Sequence, residues 1–243
     1  MSWRNLNKIR RISRISIIKT LFLNFTKLPW HQAIKLPIIL SNNTYFYDLS
    51  GRIKIEGIVS TGMIRLGFLG EDTKVWHDNK ILLKIMGTLI FKGKVNLGVG
   101  VSIQIQPEAE LIFGSNILMN YNSKIICYEY IEIGANSRFA WDCQLIDTDL
   151  HFIKNKKTGE LSKRNSPIKI GENNWIGNRV SIMKGTVTPN YCIIASLSLC
   201  NKNYDIPNYS LIAGTPAKLI KTDVYRVLEE EEAQIITLNS NKN

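Results

Sequence analysis

The sequence predicts a mainly β chain coiled as a parallel β-helix, with a helical N-terminal arm and a short C-terminal helix. Three observations predict it. From Ile170 a residue suited to a buried position recurs at every sixth place, through Ile176, Ile182, Thr188, Ile194 and Cys200. Four places after each start come Asn174, Val180, Thr186, Cys192, Ser198 and Tyr204, mostly small or β-branched. Gly171 and Gly177 follow the first two starts, and Ala195 follows the fifth. A sheet strand alternates in twos and an α-helix repeats about every 3.6 residues, so neither sustains a period of six. A β-helix does, because each hexad makes a short strand and a corner, and three hexads close a coil. The glycine beside the aliphatic residue is expected to give the backbone freedom to turn at that corner.

A second run starts at Ile133, Phe139 and Leu145, with Ser137, Cys143 and Asp149 at the fifth position. Looser copies precede it at Phe113 and Met119, and at Leu97 and Ile103. The β-helix is therefore placed at residues 51–221. Residues 1–50 form a basic helical or irregular arm, in which Ile15, Ile18, Phe22 and Phe25 share one helical face and are expected to dock on the body. Residues 152–168 carry Lys154, Lys156, Lys157, Lys163 and Arg164 but few apolar residues, and form an external loop. Residues 222–243 end the chain as a helix over Val224–Leu238, capped by Thr222 or Asp223, and a polar tail.

Composition narrows the function classes. With 44% hydrophobic and 21% charged residues the 243-residue chain reads as a globular protein. No run reaches the roughly 20 apolar residues that span a bilayer. The basic start is followed by apolar residues broken by Ser16, Lys19, Thr20 and Asn24, which does not read as a secretory signal, so the cytoplasm is the expected location. The net charge of +11 is concentrated early, with eight Lys or Arg and no acid before Asp48. No nucleic-acid recognition motif accompanies that charge, and contact between the arm and the inner face of the membrane, or with a phosphate-rich small molecule, fits it equally well. The four cysteines (Cys127, Cys143, Cys192 and Cys200) have neither C-x-x-C spacing nor nearby histidines, and read as buried thiols.

Of three histidines, His31 and His77 read as surface or packing residues. His151 ends a hexad run, opens the long loop and follows Asp147-Thr148-Asp149-Leu150. A histidine beside a carboxylate suits general-base chemistry near neutral pH. The segments "IEIGANS", "DTDLH", "SPIKIGENNWIGNRVSIMKGT" and "DIPNYSLIAGTPAKLI" resemble the hexapeptide-repeat acyltransferases, in particular the maltose- and galactoside-acetyltransferase-like sugar and polysaccharide O-acetyltransferases.

The resemblance implies a left-handed β-helix, acetyl-CoA as co-substrate, no metal, a sugar or glycan acceptor and a homotrimer with sites between neighbouring subunits. It implies His151 as the base, oriented by Asp149 or Asp147, and Asn178 as the position whose backbone N–H meets the oxyanion. Trp175, Trp141 and Asp142 would line the site. Ala195, Ser196 and Asn201 would follow the pantetheine arm, with Lys202, Lys218 and Lys221 at the CoA phosphates. Three departures stand out: the family's Gly-Ala-Gly-Ser is here Ala195-Ser196-Leu197-Ser198, Pro189 replaces a common glycine, and the segment Asn201 to Ile206 is longer than the family's usual one. The alternatives are N-acetylation of an amino-sugar nucleotide and a non-catalytic scaffold; a zinc-dependent β-helix enzyme would need three converging histidines.

Overall fold

The computed structural model describes residues 14–68 and 79–227, together with 233, 234 and 237. All six hexad starts from Ile170 to Cys200 are buried, and so are all six residues at the fifth position. The strands Ile168–Ile170, Trp175–Ile176 and Ser181–Met183 supply the three sides of one coil. Each side pairs in parallel with its counterpart on the coil before, Ile133 on Ile170, Phe139 on Ile176 and Leu145 on Ile182. Stacked this way the strands make, among the described residues, three sheets of nine, seven and five strands, arranged as in a left-handed β-helix. The seven-stranded sheet runs from Thr44–Asp48 through Gln144–Ile146 to Leu199–Cys200. The core is one column of aliphatic side chains with the stacked rings of Phe91 and Phe113 inside it.

The glycines act differently from expectation. Neither Gly171 nor Gly177 adopts a positive φ; a Cβ on Gly171 would lie 2.4 Å from the Pro189 carbonyl oxygen, and one on Gly177 2.6 Å from the Ser196 nitrogen. Their role is to let successive coils touch backbone to backbone. The left-handed turn falls two residues later, at Asn173 (φ 56°), Arg179 (φ 57°) and Leu197 (φ 63°).

Among its described residues the arm contains two helices, α1 (Ile17–Lys27) and α2 (Trp30–Ala33). Ser16 caps α1 by accepting from the Lys19 N–H at 3.4 Å. The expected docking face is wrong. Ile18, Phe22 and Phe25 are exposed, and the buried residues are Thr20, Leu23 and Asn24. The polar pair wins the inner face because it serves an open strand edge: Asn24 Oδ1 accepts from the Ile38 N–H, and Thr20 Oγ1 accepts from the Leu40 N–H. The prism also starts before residue 51, since Ile38–Leu40 pairs with Ile64–Leu66 and Thr44–Asp48 with Ile81–Ile85.

After the antiparallel pair Leu211–Gly214 and Ala217–Lys221, residues 224–227 are not helical as expected. Asp223 takes a left-handed φ of 61°, which turns the chain back, and Tyr225 then packs edge-on against Tyr191 and Tyr209. Helix is found at residues 233, 234 and 237, and the rest of the expected helix lies outside the described residues. Among the described residues no helix is long and apolar enough to cross a membrane.

Candidate functional site

The register that stacks Phe139, Ile176, Ile194 and Ile212 carries over to the residues next in the chain. Ala140-Trp141-Asp142, Gly177-Asn178-Arg179 and Ala195-Ser196-Leu197 therefore occupy the same corner on consecutive coils. Backbone bonds tie the corner together: the Arg179 N–H donates to the Trp141 carbonyl at 2.9 Å, and the Leu197 N–H to the Asn178 carbonyl at 3.0 Å. Ser196 Oγ donates to Asn178 Oδ1 at 2.5 Å, which fixes the Asn178 side chain. Arg179 Nε lies 3.8 Å from Asp142 Oδ2. Five of the residues implied by the resemblance are thus brought into one column. Leu197 stands where the family pattern has glycine, and its φ of 63° is a value glycine adopts without steric cost.

His151 belongs to the next corner, at the far edge of the seven-stranded sheet. The strand Gln144–Ile146 hands over to Asp147, which points inward because Leu145 does, and is fully buried. Its carboxylate accepts three backbone N–H groups, from Tyr128 at 2.7 Å, Glu129 at 2.8 Å and Tyr130 at 2.9 Å. Burial pushes the Asp147 carboxyl up from the usual Asp value, and these N–H donors oppose the shift. Beyond it the chain leaves the coil as a hairpin, bridged at Thr148 with Asn165 and at Lys154 with Leu161. Every side chain from 150 to 163 is exposed, His151 included.

Asp149 pairs with Lys184 Nζ at 2.5 Å, and the same Nζ donates to the Lys163 carbonyl at 2.5 Å. Lys184 thereby fastens the base of the hairpin to the following coil. Composition gives no hint of Lys184; its signal is register, since Ile146 opposite Met183 sets it one coil beyond Asp147. Among the described residues neither aspartate is hydrogen-bonded to the His151 imidazole. Lys202 and Asn201 share this corner one coil further on, because Ile182 pairs with Cys200.

Trp175 stands apart from both corners. It projects from the nine-stranded sheet, 39% exposed, with the Arg226 guanidinium 5.2 Å from its ring centre. Beside it a cavity of about 420 Å³ is lined by Asn116, Arg138, Tyr191 and Tyr225, none of which the sequence pattern marks. Lys218 and Lys221 lie on the final antiparallel strand, opposite Ala213 and Leu211. His31 is exposed on α2, and His77 lies outside the described residues. Among the described residues no cluster of His, Cys, Asp and Glu could hold a metal.

No protein-family model matches the chain. A probable acetyltransferase of Mycobacterium tuberculosis is 30% identical over 204 residues, covering 82% of this chain and 63% of that protein. The galactoside O-acetyltransferase of Escherichia coli is 31% identical over 131 residues, covering 51% of this chain and 62% of that enzyme. The chain is a family-level match to the hexapeptide-repeat, left-handed β-helix acetyltransferases. This hexapeptide-repeat chain spans less than two thirds of either relative's length. Its coil is also that of the polySia-specific acetyltransferase NeuO, with a TM-score of 0.54 over 84% of this chain and 100% of that one; at 18% identity the likeness concerns the fold.

Proposed function

We propose that the chain is an acetyl-CoA-dependent O-acetyltransferase acting on a hydroxyl of a sugar or surface polysaccharide, with His151 as general base. The observation that carries this reading is the shared corner of Trp141, Asn178 and Ser196, bordering the sheet whose other edge presents His151 to solvent. The imidazole takes the proton of the acceptor hydroxyl as that oxygen attacks the thioester carbonyl. The C–O bond forms, the C–S bond breaks, and the imidazolium returns its proton to the departing thiolate. With the Asn178 side chain held by Ser196, the backbone N–H at the corner is the donor assigned to the oxyanion, where it acts on charge that develops only in the transition state.

Asp149 is the carboxylate assigned to positioning His151, because both oxygens of Asp147 are engaged by backbone. Acetyl-CoA extends along the Ala195–Ser196 corner, and Lys218, Lys221 and Lys202 meet its phosphates as point charges. The two corners are separated by a sheet three residues wide at Gln144–Ile146, or about 10 Å. Our reading closes that gap with a homotrimer, in which one subunit's His151 corner faces its neighbour's Asn178 corner. A cytoplasmic location belongs to the same reading.

Incubation with acetyl-CoA, a panel of sugars and a thiol reporter tests the activity. Acceptor-dependent CoA release that persists unchanged in His151→Ala overturns the mechanism. Mixing His151→Ala with Ser196→Arg tests the shared site: activity recovered in the mixture supports it, and none recovered from folded mixed trimers refutes it.

A further inference from the structure

Helix α1 is amphipathic in the wrong sense for a helix that only packs on a body. Its inner face is largely polar and already satisfied. Asn24 Nδ2 donates to the Ile38 carbonyl at 2.7 Å, and Lys19 Nζ donates to the carbonyls of Asn42 and Thr44 at 2.8 and 2.6 Å. Lys27 Nζ reaches the carbonyls of Leu49 and Gly51. The outer face carries Ile17, Ile18, Leu21, Phe22 and Phe25, at spacings that share one side of a helix, and all are exposed, Ile18 at 82%. Trp30, 72% exposed, adds its ring to Phe25 at a centroid distance of 5.3 Å. A contiguous apolar patch of this kind on a folded surface marks an interaction site.

Charge names the occupant. The residues leading into α1 include Arg4, Lys8, Arg10, Arg11 and Arg14, and no acid occurs before Asp48. Bulky apolar residues on one face beside a one-sign cationic segment match an anionic bilayer surface, into whose interface such a face sinks while the cations meet headgroups. We infer that the outer face of α1 docks the protein on an anionic membrane surface. The helix lines the open edge of the first strand of the nine-stranded sheet, at the end of the prism. The coil that carries Asn178 stands five strands away, roughly 24 Å above that end. The inference does not depend on the proposed activity.

The test is co-sedimentation of the full chain with vesicles of phosphatidylcholine alone and of phosphatidylcholine with phosphatidylglycerol in equal parts. The wild type should bind the anionic vesicles and release in high salt. Ile18→Asp and Phe22→Asp, both at exposed positions, should each weaken partition by about tenfold or more. Circular dichroism and light scattering on the same samples report fold and assembly. No binding by the wild type overturns the inference, as does unchanged binding by both folded variants. Loss of the oligomer in the variants, without vesicle binding by the wild type, overturns it by making the face a subunit contact.

Discussion

Replacing Asp147 and Asp149 in turn separates a residue that builds the corner from one proposed to position His151. Asp147→Ala leaves the N–H groups of Tyr128, Glu129 and Tyr130 without their acceptor in a half-buried turn. Charge-assisted bonds are worth about 1.5–3 kcal/mol each, but the three share one carboxylate whose own burial is costly. A net loss of about 3–4 kcal/mol is expected. Asp147→Asn keeps one acceptor oxygen and sets an amide NH₂ against an N–H donor, for a loss of about 1–2 kcal/mol. Asp149→Ala removes a partly exposed ion pair with Lys184, worth about 1 kcal/mol or less. Urea unfolding at fixed protein concentration, followed by circular dichroism, gives the three midpoints. An unmoved midpoint for Asp147→Ala, or a larger drop for Asp149→Ala than for Asp147→Ala, would refute the division of labour.

The remaining predictions rest on other parts of the coil. His151→Ala should lower acceptor-dependent CoA release by about 10²–10⁴-fold with little change in stability, read by thiol assay and thermal melt side by side. Gly177→Ala forces a Cβ to within 2.6 Å of the Ser196 nitrogen and should cost about 1–3 kcal/mol, measured by urea unfolding. Burial pushes the Cys143 and Cys200 thiols up to about 11 and Cys192 to about 12, from an ordinary value of 9.0. The unfolded chain therefore releases these protons before the folded chain does, and stability should fall as pH rises from about 9 towards 11–12. A melt series across that range checks the sign, and Cys192→Ala should flatten the slope.

The coil is legible in the sequence because its repeat is a property of side-chain type: an inward aliphatic residue every sixth place is visible without coordinates. The corners are legible only in part. Their left-handed positions hold Asn116, Asn122, Asn136, Asp142 and Asn173, residues that tolerate that conformation, but Arg179, Tyr191 and Leu197 on the later coils, where the coil imposes the turn on side chains that do not favour it. His151 can be singled out as the histidine at an insertion point, yet the two nearby acids look alike. Parity separates them. With Leu145 inward, Asp147 is inward as well, and Asp149 lies past the point where the chain leaves the sheet. Helix α1 departs from expectation for a different reason. Apolar periodicity identifies a face that avoids water, but says nothing of which surface covers it, and here the strand edge at Ile38 and Leu40 demands hydrogen-bonding side chains instead.

A coil that contacts only its neighbours lets each corner be altered without disturbing distant ones. That property accounts for the 152–168 insertion. The hairpin leaves after one inward residue, Asp147, and rejoins at Ile168, which pairs with Ile131 in unbroken register. The core therefore sees no insertion at all. The insertion does need anchorage at its two feet, and the structure supplies it twice: Asp147 holds the preceding turn from inside, and Lys184 joins Asp149 to the returning strand from outside. A side chain at the first exposed turn between those anchors is held on a fixed stem while facing solvent. His151 is such a side chain, which is the placement the proposed base would need to meet an acceptor that arrives from outside the prism.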